Sequence, residues 1–164
     1  MRRKDKEITD SEKMKSILES AKFVTIAMCT GNSPYLVTLS HGYDKNRNCI
    51  YFHCAKEGKK IEYLKANNNV WGQALKDLGY LKGQCNHLFE TVQFQGKVTF
   101  LEKVEEKRAA LECMIRHLER TPDGNAEVEK AIARINNDRL GDTNFGRIDI
   151  ELMTGKQPEK PKEK

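Results

Sequence analysis

Between Lys22 and His53 three short strand-forming runs follow one another with almost nothing between them, and this spacing constrains the fold more than any other feature. Lys22 to Cys29 is apolar and β-branched (Phe23, Val24, Thr25, Ile26), and Gly31-Asn32-Ser33 breaks it as a turn would. Pro34 opens a second run through Leu39, Asp44 to Asn48 makes another turn, and Cys49 to His53 is the third run. A parallel strand pair needs a crossover of a dozen or more residues. Separations of four and nine residues leave no room for one, so the segment predicts an antiparallel meander.

The rest of the chain extends this pattern. Thr9-Asp10-Ser11-Glu12 has the form of a capping box, and Met14, Ile17, Leu18 and Ala21 recur on one helical face. Ile61, Leu64 and Lys65 read as a short helix ending at Asn67-Asn68-Asn69, and Val70 to Leu75 returns to strand. Asp77 to His87, with Gly79 and Gly83, is an excursion or a distorted hairpin. Phe89 to Leu101 is a strand in which Gly96 marks a bulge or a tight bend. Glu105 to Arg120 carries the apolar stripe Leu111, Met114, Ile115 and Leu118, and Thr121-Pro122-Asp123-Gly124 terminates it. A further helix follows through Val128, Ile132 and Ile135. Ile148, Ile150 and Leu152 then alternate with charged residues as in a half-buried strand. About six strands with few crossovers favour a Greek-key or meander barrel with outer helices over a parallel α/β sheet.

A chain of 164 residues forms one domain and buries roughly 70% of its unfolded surface, so no disulfide or metal staple is needed. Its apolar stretches fall well short of the ~18 residues of a membrane span. The basic start, Met1 to Lys6, lacks the apolar run of a secretory signal or transit peptide, so the expected location is the cytoplasm. The five cysteines include no Cys-x-x-Cys, which in a reducing compartment means free thiols. Much of the net charge of +5 sits at the two ends, which read as solvated, partly disordered segments. No run of Lys or Arg interleaves with aromatics, so nucleic acid is not an expected partner. The domain is expected over residues 1–155, followed by a charged tail over 156–164.

One internal cluster is different. Lys56, Lys59 and Lys60 stand around Gly58, where a strand ends and a helix begins, so backbone amides, the helix dipole and two ammonium groups can converge on one anion. It is not a Walker loop, because His53 occupies the place of the first glycine and no Ser or Thr follows the lysines. From spacing alone, a solvated helix start is the commoner reading. Thr38, Ser40, His41 and Tyr43 are polar groups at the end of an apolar strand, either hydrogen-bonding a heterocycle or forming an ordinary outward face. Cys85 and His87 lack the second ligand pair of a zinc site, and no metal is expected. Cys54, beside His53 and ahead of Lys59, is the best candidate for an activated thiol, although buried strand cysteines are far commoner. His117 sits beside the apolar stripe of its helix and reads as a surface or satisfied side chain.

Taken together, the segments Thr38-Leu39-Ser40, Gly42-Tyr43-Asp44, Tyr51-Phe52-His53-Cys54-Ala55 and Glu57-Gly58 with Lys60 resemble a known family. So do Gly79-Tyr80, Gly83, Cys85 and His87, the stretch Glu106 to Glu112, Arg116-His117-Leu118, and Ile148 to Glu151 with Thr154-Gly155-Lys156. The chain resembles, over nearly its whole length, the nitroimidazole-resistance group of the pyridoxamine phosphate oxidase-like, FMN-binding split-barrel superfamily. The resemblance implies a mainly β fold with peripheral helices (α+β), a six-stranded antiparallel split β-barrel, forming a homodimer with FMN between the subunits. It implies that Thr38, Leu39, Ser40 and His41 present main chain to the isoalloxazine, and that His53 to Lys60 surrounds the phosphate. Lys60 is the first phosphate ligand, assisted by Lys59 and the Ala55 amide, and Thr91 matches a serine that faces the cofactor. Two departures stand out: Glu90 replaces a common arginine, and His41 a common aromatic.

The implied activity is that of an FMN-dependent oxidoreductase passing electrons from a reduced donor, NAD(P)H among the options, to a small acceptor such as a nitroaromatic. His53 would position substrate or relay a proton. Alternatives are a non-catalytic flavin-binding or redox-sensing module with Cys54 or Cys85 as the responsive thiol, and the same fold holding a deazaflavin or haem.

Overall fold

A computed structural model of the chain describes residues 2–120 and 126–159. After a 3-10 turn at Lys4–Lys6, the elements are β1 (Glu7–Ile8), α1 (Ser11–Ser20), β2 (Phe23–Thr30), β3 (Ser33–Ser40), β4 (Gly42–Asp44) and β5 (Cys49–Cys54). There follow α2 (Lys59–Ala66), β6 (Asn69–Leu81), β7 (Asn86–Phe100), α3 (Val104–Leu118), α4 (Ala126–Ala133), α5 (Asn137–Leu140) and β8 (Asn144–Lys156). Among the described residues the sheet has eight strands, not six: β1 and β4 are too short to leave a sequence signature of their own. Thr121 to Gly124, read as the terminator of α3, lies outside the described residues. Among those residues no helix is long and apolar enough to cross a membrane.

Every strand pair is antiparallel, in the order β3-β2-β6-β7-β8-β5-β4, with β1 added on β8. The first and last strands of that order, β3 and β4, are separated in sequence by His41 alone. Two sheet ends joined by one residue can meet only if the sheet rolls up, so the architecture is a barrel whose closing seam is left unpaired. The seam lies along the free edge of β3, and α2 is tied to the start of that strand, where Tyr63 donates a hydrogen bond to Ser33 Oγ at 2.9 Å.

The main core lies inside the barrel, where Ile26, Ile50, Phe52, Val92, Phe94 and Ile148 are almost fully buried; each large side chain so buried contributes roughly 1.5–3 kcal/mol. A second cluster lies outside it, with Cys49, Tyr51, Leu101, Ala110, Met114 and Phe145 packed between β5, β8 and α3. Gly42 is required here, because a Cβ on it would stand 2.7 Å from the Met114 backbone nitrogen of α3.

The three consecutive runs do not make a meander: β2 and β3 form a hairpin, but the third run, β5, pairs with β4 and β8 and not with β3, because the barrel seam falls between them. Other local expectations change as well. Asp10, not Thr9, caps α1, its carboxylate accepting from the Glu12 amide at 2.9 Å. The segment from Asp77 to His87 is regular, since β6 and β7 continue as a two-stranded ribbon with one register shift between Asp77 and Gly79. The register of β7 on β8 shifts between Gln95 and Gly96, as the glycine suggested. That extra residue flips the alternation of β8, so Ile148 faces the core while Leu152, expected on the same face, is 49% exposed. β8 also runs past residue 155: Lys156 pairs with Glu7, and the Gln157 amide donates to Lys6 O.

Candidate functional site

The turn after β5 makes an open cradle. Gly58 is the N-cap of α2 with φ of +116°, a backbone angle side-chain-bearing residues rarely adopt, and nothing lies within 4 Å of where its Cβ would be. No side chain caps the helix, and the Ile61 and Glu62 amides both return to Gly58 O. The amides of Lys59 and Lys60 therefore have no acceptor within the helix. Lys59 Nζ stands 4.7 Å from the centroid of the Tyr35 ring and 5.5 Å from that of Tyr63, and Lys60 Nζ 6.0 Å from that of Phe52. Neither ammonium has a carboxylate within 4 Å among the described residues. Lys56 turns away towards Asp142, at 4.0 Å. Two unpaired cations and two unclaimed amides are the donor set that a phosphate needs. The Ala55 carbonyl accepts from Asn144 Nδ2 at 3.4 Å, which ties this turn to β8.

A second neighbourhood is the outer face of the sheet. Thr38 points outward on β3, its hydroxyl 3.1 Å from that of Thr25 on β2. Thr25 is in register with Gln73 on β6, whose Nε2 donates to Thr91 Oγ1 on β7 at 3.1 Å, and Thr91 donates in turn to Ala74 O at 2.8 Å. Thr38 and Thr91, far apart in sequence, thus end one polar row across four strands. Beside the row, Leu36, Trp71 and Gly72 line a groove of about 300 Å³. Ser40 is exposed opposite Phe23, and Leu39 is half-buried and packs against the core. Thr91 is nearly buried, with its hydroxyl already committed to Ala74 O.

His41 is fully buried at the corner between β3 and β4, so only its main chain is available to a ligand. Burial and the neighbouring His117 push its pKa down to about 4.

His53 and Cys54 part company. Strand alternation puts Cys54 in the barrel core and His53 on the outside of β5, opposite Phe145 with ring centroids 6.0 Å apart. The activated-thiol pairing of these two neighbours is therefore not formed. Burial raises the Cys54 pKa, with the Lys60 charge opposing. His53 instead lines a cleft of about 430 Å³ between the barrel and α3, α4 and α5. On the ribbon, Cys85 is exposed, and His87 pairs with Asp77 at 2.8 Å. No group of three or more metal-ligating side chains comes together among the described residues.

The predicted residues thus fall into three neighbourhoods: the lysine cradle, the polar row on the outer sheet face, and the His53 cleft. The cradle and the row meet at β3, which Lys59 approaches through Tyr35 and from which Thr38 points the other way. Glu90, the departure from the family pattern, pairs with Lys13 of α1 at 2.8 Å and so serves the fold. Sequence reasoning missed Trp71, Gln73, Arg134 and Arg139. The β6 alternation of buried Val70, Gly72 and Ala74 was the signal for the first two; nothing local marked the arginines.

The family model described as pyridoxamine 5'-phosphate oxidase matches residues 10–157. The chain is similar to a candidate 5-nitroimidazole antibiotic resistance protein from Bacteroides thetaiotaomicron, at 29% identity and a TM-score of 0.72 over 92% of this chain and 85% of the other. An FAD-binding protein from Mesorhizobium loti is 19% identical, with a TM-score of 0.63 over 91% of this chain and 95% of the other. An FAD and heme binding protein from Mycobacterium smegmatis is 14% identical, with a TM-score of 0.74 over 94% and 74%. At the identities of the last two, the likeness is one of fold. No curated protein matches the chain.

Proposed function

We propose that this chain, which belongs to the pyridoxamine 5'-phosphate oxidase family, binds FMN along the unpaired seam of its barrel and serves as a small-molecule oxidoreductase. The observation that carries the reading is the Gly58 cradle: a helix start with two unclaimed amides and two lysines lacking acidic partners, set against the free edge of β3. The flavin-binding proteins among the structural neighbours support the same reading.

When bound, FMN supplies the hydride and electron chemistry that amino-acid side chains lack. The chain's own residues bind and orient. Lys60 and Lys59, with the first amides of α2 and the Ala55 amide, hold the phosphate; two or three charge-assisted contacts of roughly 1.5–3 kcal/mol each suffice for that. The main chain of Thr38, Leu39, Ser40 and His41 runs along the edge where the ring system would lie, and Gln73, held in place by Thr91, adds a polar group from the sheet. His53, exposed on β5, positions the substrate or relays a proton. In this reading the donor is a reduced nicotinamide and the acceptor a small molecule such as a nitroaromatic.

The working unit is a homodimer. Leu36, Trp71, Leu75 and Leu152 are 63%, 46%, 51% and 49% exposed on the outer sheet face, and a second copy would cover them and complete the cofactor groove. An absorption spectrum of the purified chain, alone and after reconstitution, tests the central point: flavin bands with one FMN per chain are expected. Colourless protein with no saturable FMN binding would overturn it.

A further inference from the structure

The cleft beside His53 has a chemical character of its own. Its walls are apolar, with Leu111 from α3, Ile135 after α4 and Phe145 from β8, while Arg134 and Arg139 stand at its margin. Two other arginines of this layer are engaged. Arg108 donates to Glu112 at 2.9 Å and to Asn137 at 2.8 Å, and Arg116 donates to Glu129 at 2.6 Å. Arg134 and Arg139 have no carboxylate within 4 Å among the described residues. An apolar slot of about 430 Å³ lies within the range of small-molecule sites, roughly 300–1,000 Å³. Two unpaired guanidinium groups beside it favour a carboxylate, which each can grip through two parallel hydrogen bonds.

We propose that this cleft is a binding site for a small planar aromatic carboxylate, the ring between Leu111, Ile135 and Phe145 and the carboxylate on Arg134 and Arg139. The site is distinct from the lysine cradle: it lies on the α3 side of β5, whereas Lys60 stands over Phe52, which faces the barrel core. His53 forms one wall, so a molecule held here lies next to the imidazole. The inference does not require a flavin.

The probe is 2-naphthoate, titrated calorimetrically into the full chain with and without FMN, with 2-naphthamide as the neutral isostere. Saturable one-to-one binding of the naphthoate is expected, at least tenfold tighter than the amide, with NMR shifts at Phe145 and Leu111. The double variant Arg134→Gln/Arg139→Gln should weaken it 10- to 100-fold with an unchanged melting temperature, since both side chains are exposed. Equal binding of the amide, unaltered binding in the double variant, or binding lost in Lys60→Ala instead would overturn the proposal. A chain that binds naphthoate but not FMN would overturn the flavin reading and leave this site in place.

Discussion

His41 and His117 meet as a tilted ring pair with centroids 4.4 Å apart, and each holds a carbonyl at the C-terminal end of α1: His41 Nε2 lies 3.3 Å from Leu18 O, and His117 Nε2 2.7 Å from Ala21 O. A carbonyl only accepts, so both Nε2 atoms carry hydrogen, and His41 Nδ1 is left buried without a donor. The pair pins α1 and α3 onto the one-residue joint that brings the two ends of the sheet together.

The joint makes folding sensitive to mild acid. Desolvation, and secondarily His117, hold the folded pKa of His41 at about 4 against an ordinary 6.5, and burial lowers that of His117 as well. Between pH 6.5 and 4 the unfolded chain takes up a proton that folded His41 refuses. Stability from this group is complete above 6.5 and declines by up to about 3 kcal/mol as pH falls to 4. Urea midpoints across this range should fall in the wild type and less steeply in His41→Phe. Parallel profiles would show that His41 does not titrate as described.

Lys60→Ala should lower FMN affinity by about 10- to 100-fold, the equivalent of one charge-assisted contact. Lys59→Ala should cost less, because its ammonium already leans on Tyr35 and Tyr63. Flavin fluorescence titration reads both, and wild-type affinity in Lys60→Ala would remove this lysine from the phosphate site.

Leu36→Glu places a charge on a side chain already 63% exposed, so the isolated subunit should fold with little change in stability. In the proposed dimer the charge is buried without a partner, at a cost of several kcal/mol. Sedimentation velocity should find a wild-type dimer and a Leu36→Glu monomer; monomers in both would refute the dimer.

The thiols should divide by burial. Cys29 and Cys85 are exposed, Cys49 and Cys54 are buried, and burial pushes the Cys113 pKa up to about 12. At pH 8 an aromatic disulfide reagent should label Cys29 and Cys85 quickly and the other three only on unfolding. Fast labelling of Cys54 would restore it as a responsive thiol, a role that its burial disfavours and that falls instead to exposed Cys85 in the redox-sensing alternative.

The chain by itself determined what depends on neighbours in sequence. Short turns made the strands antiparallel, alternation chose their inner residues, apolar stripes set the helices, and the Gly58 lysines already stood where a strand meets a helix. The tertiary structure decided what depends on closure. Rolling the sheet until β3 and β4 met buried His41 against His117, and the extra residue near Gly96 turned Leu152 outward. Packing α3, α4 and α5 on β5 gave His53 a cleft with Arg134 and Arg139, and its strand neighbour Cys54 went into the core. Periodicity states which side of a strand a residue takes. Only the packed barrel states what stands on that side, because those partners lie tens of residues away in the chain.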